Sequence, residues 1–324
     1  MKLDKKYLLP LAGGIFLLFT ITLSHRIFGA YHYFADKKVN IFERTKNECP
    51  GIKWLSRIDS SQVNYPINVD GEMYFAGERV PLEDPDVKER LEREIQANVY
   101  WHSNTILSMK LANRYFDELE GRLKANGIPE DFKYMALIES NFRGDVSPSG
   151  AVGFWQLMKG TASGYDLEVN NEVDERYNIE KATDAACAYL KEAKGKLGNW
   201  TLAAASFNLG MPSMQDRVRE QKTNNYYDMY FNQETSRYIF RMLAMKIIFS
   251  NPANAGFKVT PDELYQPYKY RLMEVDTAIP SIADFAAQFG LKYKHIKIVN
   301  PWLRNALLTN KSHKKYQIKV LQAD

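Results

Sequence analysis

The middle of the chain carries apolar residues at helical spacing. In its first segment they recur every fourth position, at Val87, Leu91, Ile95 and Val99, as on one face of a helix. Related stripes predict further helices over 103–127, 128–142, 181–198, 199–210 and 232–250. We expect Asp86 to cap the first helix and Pro129 to lie in the first turn of the third. Residues 86–250 are therefore predicted to form an all-helical domain.

The N-terminal end has a different pattern. An apolar run over residues 7–23 follows three lysines, and its length lies between a signal-peptide core and a membrane-spanning helix. We interpret residues 1–30 as an uncleaved signal anchor with its N-terminus inside; a cleaved signal peptide is the alternative. Residues 31–85 are then a linker and extended arm, with a hairpin or extended segment at 63–82.

The C-terminal end changes pattern again. Residues 251–264 form a polar linker, and the remaining residues 265–324 mix two periodicities. Strands are predicted over 268–275 and 315–321, and helices over 281–290 and 294–303. The tail is therefore predicted to be a small β-α-α-β unit.

Composition excludes several classes of function. The 324 residues include 43 basic and 39 acidic side chains, a balance that argues against a nucleic-acid partner. The five histidines have no metal-ligand spacing, so neither a metal nor another cofactor is implied. We interpret Cys187, on a helix of small apolar residues, as a buried free thiol, with a disulfide to Cys49 as the alternative.

One acidic residue lies in a helix that is apolar on nearly every side. Glu139 shares a face with Phe132, Met135 and Ala136, at the spacing i, i+3, i+4, i+7. Burial disfavours the charged carboxylate and should raise its pKa, as a general acid requires. Alternatively, Glu139 forms a structural ion pair with Arg143, four residues later.

The segment SPSGAVGFWQL follows this helix. Gly150 and Gly153 would let the backbone approach a ligand closely. The side chains of Ser147, Ser149 and Gln156 could bond sugar hydroxyl or acetamido groups. A Gly-x-x-Gly spacing alone usually indicates only a turn.

Together, separated motifs over residues 125–250 resemble the catalytic segment of lytic transglycosylases of the soluble type and their membrane-bound D-type relatives. In order, they are Glu139-Ser140, Ser147–Gln156, Val173–Asn178, Ser206–Gly210 and Glu234–Ala244. The resemblance implies a mainly α protein with a lysozyme-like helical catalytic domain of the α+β family. It also implies cleavage of the β-1,4 bond between N-acetylmuramic acid and N-acetylglucosamine, with 1,6-anhydromuramic acid ends.

By this resemblance, Glu139 acts first as the general acid and then as the base. The implied substrate-binding residues are Ser140, Ser147, Gly150, Gln156, Phe207, Asn208, Glu234 and Tyr238. Phe207 departs from the tyrosine that is common in the family, and Tyr238 is a candidate to replace its hydroxyl in space. Glu234 would alternatively only stabilise the start of a helix. Most glycosidases use two carboxylates, but one suffices if the substrate's acetamido group stabilises the cationic centre.

The tail resembles a LysM module, which binds N-acetylglucosamine chains, although the usual Gly-Asp-Thr opening is absent; a packing role is the alternative. We therefore expect an enzyme on the periplasmic side of the cell envelope that acts on peptidoglycan glycan strands. It would be anchored in the membrane by residues 7–23, or secreted if the signal is cleaved. The rivals are a goose-type hydrolytic muramidase, with Asp145 or Asp174 as base, and a catalytically weak peptidoglycan-binding envelope protein.

Overall fold

The computed structural model describes residues 39–49, 51, 53–54 and 69–322, so the predicted membrane segment lies outside the described residues. In this part of the chain, none of the helices combines the length and apolar character needed to cross a bilayer. The described residues divide into two compact units, one ending at Pro267 and the other beginning at Tyr268.

The larger unit is mainly helical, as predicted. Its helices are α1 (Ile41–Thr45), α2 (Pro85–Tyr100), α3 (His102–Ala125), α4 (Lys133–Ser140), α5 (Lys159–Gly164), α6 (Ile179–Leu197), α7 (Trp200–Leu209), α8 (Met211–Gln221) and α9 (Gln233–Ser250). Short 3₁₀ turns lie at Glu130–Phe132, Glu175–Tyr177, Tyr226–Asp228 and Pro261–Glu263. Two antiparallel pairs precede α2, formed by β1 (Lys53–Trp54) with β2 (Val69–Asp70) and by β3 (Met73–Phe75) with β4 (Glu78–Val80).

Two helix starts differ from the sequence predictions. Asp86 does not cap α2: the side chain of Asp84 accepts the backbone N–H of Asp86 at 2.9 Å. Pro85 is the first helical residue, where a missing N–H costs nothing. Pro129 precedes both the 3₁₀ turn and α4 and so lies outside the first turn of α4.

Helix α9 is the centre of the larger unit. It packs against α2, α4 and α7, and most of its side chains are buried. The β3–β4 hairpin adds buried Met73 and Phe75 to the same core, and the segment after α9 adds Phe257 and Leu264. Parts of the predicted arm and linker therefore pack on the helical core, because this contact removes their apolar side chains from water.

The smaller unit has the predicted β-α-α-β order. Strands β5 (Tyr270–Val275) and β6 (Tyr316–Leu321) pair antiparallel, with Tyr270 opposite Leu321. Helices α10 (Ile282–Ala287) and α11 (Tyr293–Val299) lie between them in the chain. Buried Asn300 joins α11 to β6 by bonding both the N–H and the C=O of Lys319.

Cys49 and Cys187 are both free, so the disulfide alternative is wrong. Cys187 is buried, as predicted.

Candidate active site

Glu139 lies in the last turn of α4, a short helix packed between α3 and α9. The six helical residues before it are buried, whereas Glu139 itself is half-buried. Asn141 then adopts a left-handed conformation that ends the helix. The predicted buried helix is confirmed, and it presents its carboxylate at the point where the helix leaves the core.

The partner of Glu139 comes from α9. The hydroxyl of Tyr238, a side chain only 1% exposed, donates a hydrogen bond to Oε1 of Glu139. Arg241, one turn further along α9, donates to the carbonyl of Ile138 at 2.9 Å. The alternative ion pair with Arg143 is not formed, because that guanidinium instead donates to Asn104 at 2.7 Å.

Burial raises the pKa of the Glu139 carboxyl above its ordinary value. The hydrogen bond from Tyr238 and the positive charge of Arg241 oppose this rise, and the negative charge of Glu234 adds to it. Burial, together with the charge of Glu139, also raises the pKa of Tyr238 well above its usual range. Tyr238 therefore remains a hydrogen-bond donor while Glu139 changes protonation state.

Asn208 and Glu234 form a second polar group, where the end of α7 meets the start of α9. The amide nitrogen of Asn208 donates to Glu234 at 2.9 Å, and its amide oxygen accepts the hydroxyl of Thr235 at 2.8 Å. Glu234 is exposed to solvent but close enough to act on the pKa of Glu139. The amide of Asn208 is therefore held in one orientation beside an exposed carboxylate.

Phe207 is a packing residue in this structure. Its ring contacts those of Trp155 and Tyr189, with centroids 6.2 Å and 5.2 Å away. Trp155 is fully buried, and its indole N–H donates to Thr183 at 2.9 Å. The hydroxyl of Tyr238 bonds Glu139, and its replacement of the tyrosine hydroxyl missing at Phe207 stays a prediction.

The polar side chains after α4 bond mainly to their own loop. The hydroxyl of Ser147 accepts the N–H of Ala151 at 2.9 Å. The amide nitrogen of Gln156 donates to the carbonyls of Asp145 and Gly153 at 3.0 Å and 2.9 Å. These contacts fix the loop's shape, so Ser147 and Gln156 stay predictions as substrate-binding residues.

Ser140 connects this loop to α4. Its hydroxyl donates to the carbonyl of Phe154 at 3.1 Å and accepts the N–H of Phe142 at 3.1 Å. In this structure Ser140 therefore bridges α4 and the loop. Contact with substrate remains a prediction for this residue.

Arg176, which was not among the predicted site residues, bonds the backbone of this loop. It pairs with Asp174 through two hydrogen bonds, at 2.9 Å and 2.8 Å, and donates to the carbonyls of Gly150 and Leu157 at 3.2 Å. Gly153 packs directly on the backbone of Arg176, where a Cβ would lie 1.9 Å from the carbonyl oxygen. The only sequence signal was the Val173–Asn178 motif.

The structure brings Glu139, Tyr238, Asn208 and Glu234 together through direct contacts or electrostatic influence. Ser147, Gly150 and Gln156 belong to the adjoining loop. Within the described part of the chain, no group of three or more His, Cys, Asp or Glu side chains is arranged to hold a metal ion.

Curated relatives of this chain include the membrane-bound lytic murein transglycosylase D of Escherichia coli, strains K12 and O6:H1. Each is 24% identical over 250 residues, covering 74% of this chain and 54% of the relative. The chain thus spans about half the length of these relatives.

Among solved structures, the match to an inactive mutant of lytic transglycosylase Slt from Pseudomonas aeruginosa has a TM-score of 0.38 and 21% identity, covering 50% of this chain and 28% of that one. The 70 kDa soluble lytic transglycosylase of Escherichia coli also gives 0.38, with 16% identity, over 55% of this chain and 33% of that one.

Two family models match separate parts of the chain. Residues 119–230 match the transglycosylase SLT domain, and residues 271–323 match the soluble lytic transglycosylase C-terminal LysM-like domain. Both matches confirm the resemblances seen in the sequence. This chain therefore contains a transglycosylase SLT domain followed by a LysM-like domain of the soluble lytic transglycosylase C-terminal family.

Proposed function

We propose that this protein is a lytic transglycosylase that cleaves the β-1,4 bond between N-acetylmuramic acid and N-acetylglucosamine in peptidoglycan. The observation that carries the proposal is the half-buried Glu139, whose pKa is raised by burial and whose carboxyl group accepts the Tyr238 hydroxyl. The SLT domain supplies the reaction class. The relatives, lytic murein transglycosylases by name, suggest the substrate.

In the first step, protonated Glu139 gives its proton to the glycosidic oxygen. The bond from the muramic acid C1 to that oxygen breaks, and the acetamido group of the sugar stabilises the cationic carbon. In the second step, the Glu139 carboxylate removes the proton from the C6 hydroxyl, whose oxygen bonds to C1. The ring closes as a 1,6-anhydro sugar, Glu139 is protonated again, and water is not consumed.

Tyr238 supports both steps from one position. Because its hydroxyl binds Oε1 of Glu139, Oε2 is left to face the sugar. The same hydrogen bond stabilises the carboxylate that forms after the first proton transfer. The charge of Arg241 acts in the same direction. Both effects lower the pKa of Glu139, but the rise caused by burial is larger.

The remaining predicted site residues would bind and orient the sugars. Asn208 and Glu234 offer polar groups beside Glu139, and the loop with Ser147, Gly150 and Gln156 would form a wall of the binding site. The LysM-like domain would hold the enzyme on glycan strands. We place the protein on the periplasmic side of the cell envelope, anchored by residues 7–23 or secreted after cleavage, consistent with a membrane-bound relative.

A hydrolytic muramidase is the second candidate function, and the carboxylate of Glu234 favours it. This exposed carboxylate acts electrostatically on Glu139 and would be the base that activates water in a two-carboxylate mechanism. Asp174 fits that role poorly, because its carboxylate is buried and paired with Arg176.

The deciding experiment is mass spectrometry of purified peptidoglycan digested by wild type, Glu139→Gln and Glu234→Gln. We expect anhydro ends from wild type and from Glu234→Gln, and none from Glu139→Gln. Reducing muramic acid ends that disappear in Glu234→Gln would establish the muramidase instead. A wild type that binds glycan strands without cutting them would leave the binding protein as the answer.

A further inference from the structure

A buried ion cluster holds the start of α4, at the opposite end of the helix from Glu139. Lys133, the first residue of α4, has a side chain only 2% exposed, and its ammonium group bonds both Glu48 and Glu120. The next residue, Tyr134, donates its hydroxyl to Oε2 of Glu48 at 2.6 Å. One carboxylate, that of Glu48, therefore binds the first two residues of the catalytic helix.

Glu48 belongs to a short segment, residues 41–49, which we call the strap. The backbone N–H of Ile41 donates to the side chain of Asn113 on α3 at 2.9 Å. The buried hydroxyl of Thr45 donates to the carbonyl of Phe249 on α9 at 2.7 Å. Arg44 pairs with Asp117 and Glu120 on α3. The strap is thus tied to the two helices between which α4 packs.

Helix α4 depends on such contacts for its position. Its eight residues span about 12 Å, and a helix that short is unstable by itself in water. Buried charges are tolerated only in well-formed pairs, so a shifted α4 would leave Lys133 unpaired. Glu139 lies six residues further on, about 9 Å along the axis. The cluster therefore acts on Glu139 through the placement of the helix.

We propose that the strap is a positioning element of the active site. Glu48, Lys133 and Tyr134 set the position of α4, so that Glu139 meets the hydroxyl of Tyr238. The kinetic part of this inference rests on the proposed function. The strap lies outside residues 119–230, the segment that matches the SLT domain, so the match does not assign it.

The test compares Glu48→Gln with two controls in the full-length protein. Glu48→Gln keeps the shape of the side chain and removes its charge. Asp184→Asn makes the same chemical change at the ion pair of Arg122 with Asp184, which joins α3 to α6. Leu197→Ala removes buried side-chain volume at the C-terminal end of α6 and serves as a control for general destabilisation. Should Glu48→Gln fail to fold, Thr45→Val loosens the strap more gently.

Three quantities are measured for each variant: Tm, kcat and KM on soluble glycan strands, and hydrogen–deuterium exchange of peptide 133–140. For Glu48→Gln, or for Thr45→Val in its place, we expect kcat to fall about tenfold, which corresponds to about 1.4 kcal/mol in the barrier. KM should change less than about twofold, because the sugar contacts are kept, and peptide 133–140 should exchange faster. Both controls should keep the wild-type kcat and the wild-type exchange of this peptide.

An unchanged kcat, or unchanged exchange in peptide 133–140, would overturn the inference. So would an equal loss of kcat in Leu197→Ala at an equal loss of Tm, since general destabilisation would then explain both. A wild type that makes no anhydro ends would refute the proposed function instead. The exchange comparison would still decide whether the strap holds α4.

Discussion

Removing one hydroxyl should move the pH dependence of the enzyme. In the proposed mechanism Glu139 is the general acid, so activity should be full below its pKa and be lost as the pH rises through it. The hydrogen bond from Tyr238 favours the carboxylate and lowers that pKa. In Tyr238→Phe the pKa of Glu139 should therefore rise, and the alkaline limb of kcat/KM should shift to higher pH.

The size of the effect follows from the strength of this bond. A hydrogen bond to a charged group contributes about 1.5–3 kcal/mol, and one pH unit corresponds to about 1.36 kcal/mol. We expect the limb of Tyr238→Phe to move up by about one to two pH units. The maximal kcat should also fall, by about 10- to 100-fold, because the carboxylate formed in the first step loses the same bond.

The assay measures initial rates of anhydro-end formation from soluble glycan strands across the pH range in which the protein stays folded. Tyr165→Phe is the matched control, since the hydroxyl of Tyr165 also donates to a carboxylate, that of Glu192, at 2.7 Å. Its pH profile should equal that of the wild type. A limb of Tyr238→Phe that stays in place, or moves to lower pH, would refute the assigned hydrogen bond.

Three further substitutions test other parts of the site. Glu234→Gln removes a charge that raises the pKa of Glu139; its alkaline limb should move a few tenths of a pH unit lower, and an upward shift would contradict this reasoning. Gly153→Ala places a Cβ against the carbonyl of Arg176 at a positive φ; the free energy of unfolding in urea should drop by about 2–5 kcal/mol, and a smaller loss would mean the loop adapts. Phe207→Tyr should keep kcat within about threefold of the wild-type value, because the hydroxyl of Tyr238 already bonds Glu139. A larger gain in kcat on glycan strands would contradict this reasoning.

Six helices of the larger unit were predicted, because the sequence shows apolar residues at helical spacing in them: α2, α3, α4, α6, α7 and α9. Val87, Leu91 and Ile95 recur at one helical spacing, and all three are buried in α2. Gly210 marked the end of α7, as predicted. Helix α8 was not predicted: it begins directly after Gly210, and its largely polar sequence buries only Met211 and Met214.

Long-range partners could not be read in the same way. The hydrogen bond to Glu139 joins residues 99 positions apart. Helical periodicity predicts on which side of its helix a residue lies, but not which distant residue contacts that side. Tyr238 was available as a candidate only through the family motif. The polar loop side chains show the converse limit, since Ser147 and Gln156 look like ligand groups in sequence but bond the loop backbone, whose polar groups need partners.

The environment of the Glu139 carboxylate extends beyond the segment that matches the SLT domain. That match ends at residue 230, whereas Tyr238 and Arg241 follow it in the chain, and Glu48 precedes it. Without α9, Glu139 would lose its hydrogen-bond donor, Tyr238, and the nearby charge of Arg241. Without the strap, Lys133 at the start of α4 would lose Glu48, one of its two carboxylate partners. The proposed acid therefore depends on segments on both sides of the matched domain, the strap before it and α9 after it, which the motif around Glu139 itself does not contain.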